Sequence, residues 1–159
     1  MADRTIVKHL LVAFGLALLL YVISFSFIHH MRERHGPWQV TFLSDAQGQP
    51  SIRVDQPKLA LREVTLSFVS ERISTTNLNT TVFFAGPKTN VPFGEVIFFD
   101  TTFLPGTVTF DFFGHEIELL RRTLVVNKKE ISWESGARIE LTPKEKLPAA
   151  QRPKPKPKR

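Results

Sequence analysis

An apolar segment near the amino terminus, residues 10–28, constrains the fold more than any other feature of this sequence. Its nineteen residues include no charged side chain, proline or amide. As a helix rising about 1.5 Å per residue they span roughly 28 Å, which matches the hydrocarbon thickness of a bilayer. The sequence therefore predicts a transmembrane helix with these anchor residues on its surface: Leu10, Phe14, Leu18, Val22, Phe25 and Ile28.

A cleavable signal peptide and a buried core helix are the two alternatives for this segment. Signal peptides have an apolar run of about 7–15 residues and a small-residue cleavage site. Here the apolar run is longer, and it is followed by His29 and His30 and then by charged residues, with no small-residue cleavage site. A helix that is apolar on every face rarely finds cover in one soluble domain. We therefore assign residues 1–9 to a flank, 10–28 to a signal-anchor span and 29–37 to a juxtamembrane linker.

The charges beside the span give a slight orientation bias. Arg4 and Lys8 face one acidic residue on the amino-terminal side, whereas Arg32 and Arg34 face Glu33 on the other. With the α-amine included, the positive excess favours a cytoplasmic amino terminus. We expect a single-pass protein of the cell membrane whose remaining chain is extracytoplasmic.

After Gly36 and Pro37, which are expected to end the helix, apolar and polar residues alternate with the period of a strand. Turn signals rich in Gly, Pro, Asp and Asn separate nine strand-like segments. The interpretation includes a type II′ hairpin at Gly114-His115 and a tight turn over residues 127–130. The sequence predicts a mainly β fold, an antiparallel β-sandwich or open barrel over residues 38–142. The segments are 38–42, 52–54, 64–68, 81–85, 95–100, 107–113, 117–126, 131–133 and 137–141.

Phenylalanine is concentrated in the middle of this domain. Nine of the fourteen phenylalanines lie between residues 83 and 113. The adjacent pairs Phe98-Phe99 and Phe112-Phe113 are expected to place rings on both faces of a strand. One face would belong to the core, and the other would need cover from a second sheet, the membrane surface or a partner.

The net charge of +6 belongs to the carboxyl-terminal tail. Residues 144–159 hold seven basic residues and one acidic residue, and the rest of the chain holds fourteen of each. The Pro/Lys composition predicts a disordered tail from residue 143 onward. Its basic residues are candidates for contact with anionic lipid or an acidic partner, against the simpler interpretation of a solubilising end. They are Lys144, Lys146, Arg152, Lys154, Lys156, Lys158 and Arg159. Nucleic acid is not an expected partner, because the domain itself is nearly neutral.

No catalytic, cofactor-binding or metal-binding residues are predicted. The chain has no cysteine, which excludes disulfides, zinc–thiolate sites and thiol catalysis. It also lacks a Gly-x-Ser-x-Gly elbow and a glycine-rich phosphate loop. His115-Glu116 resembles half of a metal or general-base motif, but no second histidine follows it. A carboxylate pair formed only in three dimensions stays open, and otherwise we expect a protein that is not an enzyme.

Three functional hypotheses follow from these features. The first is a membrane-anchored β-domain that acts by contact, as a structural, assembly or accessory subunit of a membrane complex. The second is a membrane-tethered module that binds a sugar or lipid, which a solvent-facing row of aromatic side chains would favour. The third is a tethered hydrolase, which would need carboxylates that converge in a cleft.

Overall fold

The computed structural model describes residues 2–35, 37–86, 90–100 and 106–152, without the side chains of residues 2, 3, 29, 31–35 and 149. The chain divides into two compact units near residue 34, a helix and a β domain. The predictions that concern Gly36, Phe103 and residues 153–159 lie outside the described residues. Those residues include Lys154, Lys156, Lys158 and Arg159.

The first unit is one continuous helix, α1, over Ala2–His35. Within it, the 25-residue span Arg4–Ile28 contains an 18-residue window with a mean hydropathy of 2.5, which makes it long and apolar enough to cross a membrane. The six predicted anchor residues are all exposed, from 40% for Ile28 to 67% for Leu10. The prediction of an apolar amino-terminal helix is confirmed. The helix also runs through most of the segment that the sequence assigned to a linker and ends just before Gly36 and Pro37.

The β domain consists of two stacked sheets, as the sequence predicts. Sheet 1 has the strand order β11-β3-β2-β1-β4 and sheet 2 the order β10-β9-β8-β7-β6-β5. All strand pairs in the described residues are antiparallel except β3–β11, which is parallel. The eleven described strands are β1 Trp38–Ser44, β2 Pro50–Gln56, β3 Leu61–Phe68, β4 Asn79–Phe84, β5 Asn90–Val91, β6 Gly94–Phe99, β7 Val108–Phe112, β8 His115–Leu119, β9 Thr123–Val126, β10 Lys129–Ser132 and β11 Arg138–Leu141.

Aromatic rings fill the space between the sheets. On the sheet 1 side, the ring of Phe42 meets Phe93 at 5.2 Å and Phe112 at 5.6 Å, both edge to face. Phe68 meets Phe112 at 6.3 Å in the same geometry. Each such pair contributes about 0.5–1.5 kcal/mol beyond the area that it buries. The phenylalanine-rich sequence is thus used mainly for the core, which holds Phe84 and Phe110 as well.

The two tryptophans join the sheets at one end of this core. Trp38 begins β1 and is 2% exposed, so it belongs to the domain. Its ring lies 5.3 Å from the ring of Trp133, which follows β10. Both indole N–H groups donate to backbone oxygens at 2.7 Å, from Trp38 to Gly106 and from Trp133 to Leu120. Because the indole N–H of each tryptophan has a hydrogen-bond acceptor, the rest of the ring can be buried without leaving a polar group unpaired.

Three predicted connections differ in the structure. The β7–β8 turn is Phe113-Gly114, and φ is positive at both residues, which defines a type I′ turn and not type II′. Phe113 therefore does not face away from the core, and its ring packs 5.0 Å from Phe68. Likewise, Asn127-Lys128 alone form the β9–β10 turn, also with positive φ. The single strand predicted over residues 117–126 is in fact a hairpin of β8 and β9. In its turn, the N–H of Leu120 donates to the carbonyl of Thr123.

The ordered domain extends further along the chain than the sequence predicts. Two short 3-10 helices, Pro143–Glu145 and Ala149–Gln151, follow β11, and Leu147 between them is 7% exposed. Leu147 N–H donates to Gly114 at 3.2 Å. The Glu145 carboxylate accepts hydrogen bonds from both Thr142 N–H and its hydroxyl at 3.1 Å. Because Leu147 supplies an apolar anchor for this segment, the predicted disorder does not hold for residues 143–152.

Two truncations test this extension. Removing residues 143–159 is expected to lower the free energy of unfolding by about 2 kcal/mol, because the buried side chain of Leu147 is lost. Removing only residues 153–159 is expected to leave it unchanged, because the contacts described above are all made by residues 143–152. Thermal unfolding of both proteins in detergent measures the difference. Equal melting temperatures for the two truncations would contradict the prediction.

Candidate contact surfaces

The basic residues predicted to contact acidic surfaces do not form one group. Lys144 is exposed on a 3-10 helix. Lys146 is half-buried and its ammonium donates to the carboxylate of Glu71. Arg152 donates from Nε to the carbonyl of Leu147 at 3.0 Å, and its guanidinium lies so close to Gly114 that a Cβ there would be 2.6 Å from Nη2. Lys146 and Arg152 therefore hold the carboxyl-terminal segment on the domain.

His115 and Glu116 lie on opposite faces of β8, so they cannot form one site. His115 points inward, is 1% exposed and approaches Asn127 through Nδ1, which lies 2.9 Å from Asn127 Nδ2. Burial lowers the pKa of His115, and the positive charge of Lys146 lowers it further. A neutral ring whose Nδ1 accepts from the Asn127 amide fits this position. In the described residues, no three His, Asp or Glu side chains converge as a metal ion would require.

The outer face of sheet 2 carries a pair of glutamates. Glu116 and Glu118 are two residues apart on β8, so both side chains leave the same face of the strand. Glu116 is 8% exposed and Glu118 is half-buried. Desolvation raises the pKa of Glu118, and a hydrogen bond from one carboxyl to the other together with the charge of Glu116 raises it further. The raised pKa favours the protonated form of Glu118, whose carboxyl can then donate to the Glu116 carboxylate.

An open cleft of about 540 Å³ surrounds this pair. Apolar side chains of Ile97 and Phe98 line one part, and Lys128 lies close enough to offset part of the rise in the Glu118 pKa. The remaining lining residues are Asp100, Thr107, Thr109, Leu120 and Gln151. In the sheet register, Glu95 pairs with Asp111 and Asp111 with Glu116, which continues the acidic row across three strands.

This arrangement is suited to contact with a cationic and apolar group. The Glu116–Glu118 pair can hold a proton, or accept hydrogen bonds from a Lys or Arg that displaces that proton. The two carboxyls hydrogen-bond to each other, whereas glycoside hydrolysis needs them roughly 5 Å or more apart. The cleft therefore supplies the convergent carboxylates that the hydrolase hypothesis required, at a separation too short for glycoside hydrolysis.

Two exposed phenylalanines mark the outer faces of the sandwich. Phe98 on β6 is 45% exposed beside the cleft, and Phe83 on β4 is 52% exposed on the opposite side, on sheet 1. Within the described part of the chain they do not form a row, since each stands on its own sheet. The geometry that would favour a sugar-binding or lipid-binding platform is not seen in those residues.

Comparison of the chain with protein-family models, with curated proteins and with solved structures finds no match. The functional argument therefore depends on this chain's own residues. Of these, the glutamate pair is the feature that sequence reasoning did not single out among a dozen acidic residues. The sequence contains one signal for this pair. Glu116 and Glu118 are two residues apart in a predicted strand, and this spacing places both side chains on the same face of the strand.

Replacing Glu118 with Gln tests the electrostatics of the cleft. Because its pKa is raised above the ordinary value of 4.5, Glu118 favours folding at low pH, and this contribution is lost as pH rises through the folded-state pKa. Glu118→Gln is therefore expected to raise the melting temperature at about pH 8 and to have no such effect at about pH 4. Glu130→Gln on the neighbouring edge strand β10 is the matched control. A Glu118→Gln effect that is the same at both pH values would contradict the assignment.

Proposed function

We propose that this chain is a single-pass membrane protein whose β domain acts by contact, as a structural, assembly or accessory subunit of a membrane complex. The apolar helix supports the membrane part of the proposal, since its anchor side chains are exposed and find cover only in lipid or against another membrane protein. The surface of sheet 2 supports the contact part. In this proposal the glutamate pair is a binding group and not a catalyst.

The proposed orientation places the amino terminus in the cytoplasm and the β domain outside it, in the cell membrane. The charge bias from Arg4 and Lys8 supports this orientation. Since the chain has no cysteine, single introduced cysteines report sidedness without a background signal. In intact cells, a membrane-impermeant maleimide is expected to label Ser74→Cys, in the exposed β3–β4 loop, and not Thr5→Cys. The reverse labelling pattern would overturn the orientation, and release of the full chain by an alkaline wash would overturn the span.

The observation that carries the contact role is the position of Phe98. A large ring that is 45% exposed on a sheet face has an unfavourable contact with water, which a partner relieves. Around it, the carboxylates of Glu95, Asp111, Glu116 and Glu118 give the same face a negative potential. The proposed partner is therefore a membrane protein whose extramembrane surface combines an apolar pocket with basic residues.

The ring-filled core argues against the alternative of a ligand-binding module. In a sandwich that holds a sugar or lipid between its sheets, that space would be open to the ligand. Here Phe42, Phe68 and Phe112 occupy it in edge-to-face contact. The described cleft lies on the outside of sheet 2 and is open to solvent.

Co-purification of the full chain in mild detergent tests the partner. Phe98→Ser is expected to reduce recovery of the partner at least tenfold, which corresponds to about 1.4 kcal/mol of lost interaction. Phe83→Ser removes an equally exposed ring from the other sheet and is the matched control, expected to leave recovery unchanged. Equal recovery with both variants, or a wild-type chain that retains no membrane protein, would contradict the proposal.

The basic tail is a secondary part of this proposal. Lys144, which is exposed, and the basic residues of segment 153–159 are proposed to contact anionic lipid headgroups beside the span. Because such a contact is electrostatic, deleting residues 153–159 should reduce binding to anionic vesicles at low salt and make little difference at high salt. An effect that does not depend on salt would contradict this role.

A further inference from the structure

The edge strand β4 is the least protected strand edge of the sandwich. It spans Asn79–Phe84 and, among the residues that the structure describes, pairs on one side only, with β1. No charged residue occurs from Ile73 through Gly86. Edge strands in soluble domains are commonly kept from pairing with other chains by charges, proline or short length. None of these protections is present along β4.

The other three sheet edges carry such protection. At the far edge of sheet 1, β11 carries Arg138 and Glu140 within the strand. In sheet 2, β10 begins with Lys129 and Glu130, and β5 has only two residues. The contrast marks β4 as the edge at which a further strand fits.

The hydrogen-bond pattern identifies which backbone groups of β4 face outward. The N–H of Ser44, at the end of β1, donates to the carbonyl of Leu78, on the β4 side. The N–H of the next residue, Asp45, donates to the carbonyl of Gln49, on the β2 side. In an antiparallel ladder the direction alternates along the strand. The β1–β4 register therefore directs the backbone of Thr80, Val82 and Phe84 toward β1. The N–H and C=O groups of Asn79, Thr81 and Phe83 point to the free edge, and these three residues are exposed.

We propose that β4 pairs with β4 of a second copy of this chain, antiparallel about a two-fold axis at Thr81. In this register, Thr81 pairs with Thr81 of the second copy, and Asn79 pairs with Phe83 in both directions. All the outward backbone groups of the three residues are then used, in about six hydrogen bonds, two for each pair. Shifting the register by two residues in either direction leaves one of the three residues without a partner.

A second copy fits this edge better than an unrelated strand for two reasons. The edge is uncharged, so two identical copies meet without like-charge repulsion, and the central Thr–Thr pair is a favourable cross-strand pair. In addition, the proposed membrane anchor confines both copies to one surface, which raises their local concentration. The inference goes beyond the proposed function and uses it only for this last point.

A single cysteine tests the two-fold axis directly, because the chain has none of its own. In the proposed pair the two Cα atoms of residue 81 lie about 5.5 Å apart, which is within disulfide range. Oxidation of full-length Thr81→Cys in mild detergent is therefore expected to shift most of the chain to a covalent dimer. Ser132→Cys, on the charged edge strand β10, is the matched control and is expected to stay monomeric.

Thr81→Pro tests the hydrogen bonds. Since the Thr81 N–H points away from β1, proline removes an outward donor and keeps the backbone hydrogen bonds between β1 and β4. Like any replacement of Thr81 by a residue without a hydroxyl, it also removes the hydrogen bond between the Thr81 and Thr41 hydroxyls at 2.9 Å. Loss of the dimer is expected in cross-linking and in mass measurement of the detergent complex. Thr81→Lys, which places a charge on the edge without changing the backbone, is a second variant with the same expected loss. The melting temperature of each variant shows whether it is folded.

The outcomes separate this inference from the proposed function. Phe98→Ser is expected to lose the membrane-protein partner and keep the dimer, whereas Thr81→Pro is expected to lose the dimer. A wild-type chain that is monomeric, with Thr81→Cys no more cross-linked than Ser132→Cys, would overturn the inference. So would a folded Thr81→Pro protein that remains fully dimeric, or a strand from a different protein found at this edge.

Discussion

The edge-to-face packing of phenylalanine rings between the two sheets is the interaction on which the domain depends. Phe42 and Phe68 from sheet 1 close on Phe93 and Phe112 from sheet 2, and the chain has no disulfide to share this role. The rings are large and fixed in geometry, so they determine how the sheets stack. Because this packing uses the inner faces, the outer faces and the edges are the parts of the sandwich that stay accessible to other molecules.

Local sequence pattern was sufficient to predict the fold class. Alternation identified most strands and their inner faces, because the inward positions are mainly apolar. It failed where a turn carries no glycine or proline: Arg121-Arg122 lie in the β8–β9 turn, but the apolar residues on both sides made one long strand. It also missed the parallel pairing of β11 with β3, since about seventy residues separate the two strands and local pattern contains no information on such contacts.

The candidate surfaces were less predictable than the fold. The spacing of Glu116 and Glu118 was visible in the sequence, but the cleft around them is also lined by Ile97, Phe98 and Gln151, which are distant in the sequence. The missing charges of segment 73–86 were visible too, although only the strand order shows that this segment ends at an edge. The sequence pattern assigns Lys146 and Arg152 to a solvated tail, because nothing in the sequence links them to Glu71 and Gly114. In each case the decisive information is a contact between distant parts of the chain.

The contact between Trp38 and Trp133 has a practical consequence. These are the only two indoles in the protein, and they lie 5.3 Å apart with one attached to each sheet. Their intrinsic fluorescence therefore reports the closure of the sandwich itself, without a label. Separation of the sheets would move both rings into water together and shift their emission to longer wavelength, so the folding of the domain can be followed optically in the purified chain.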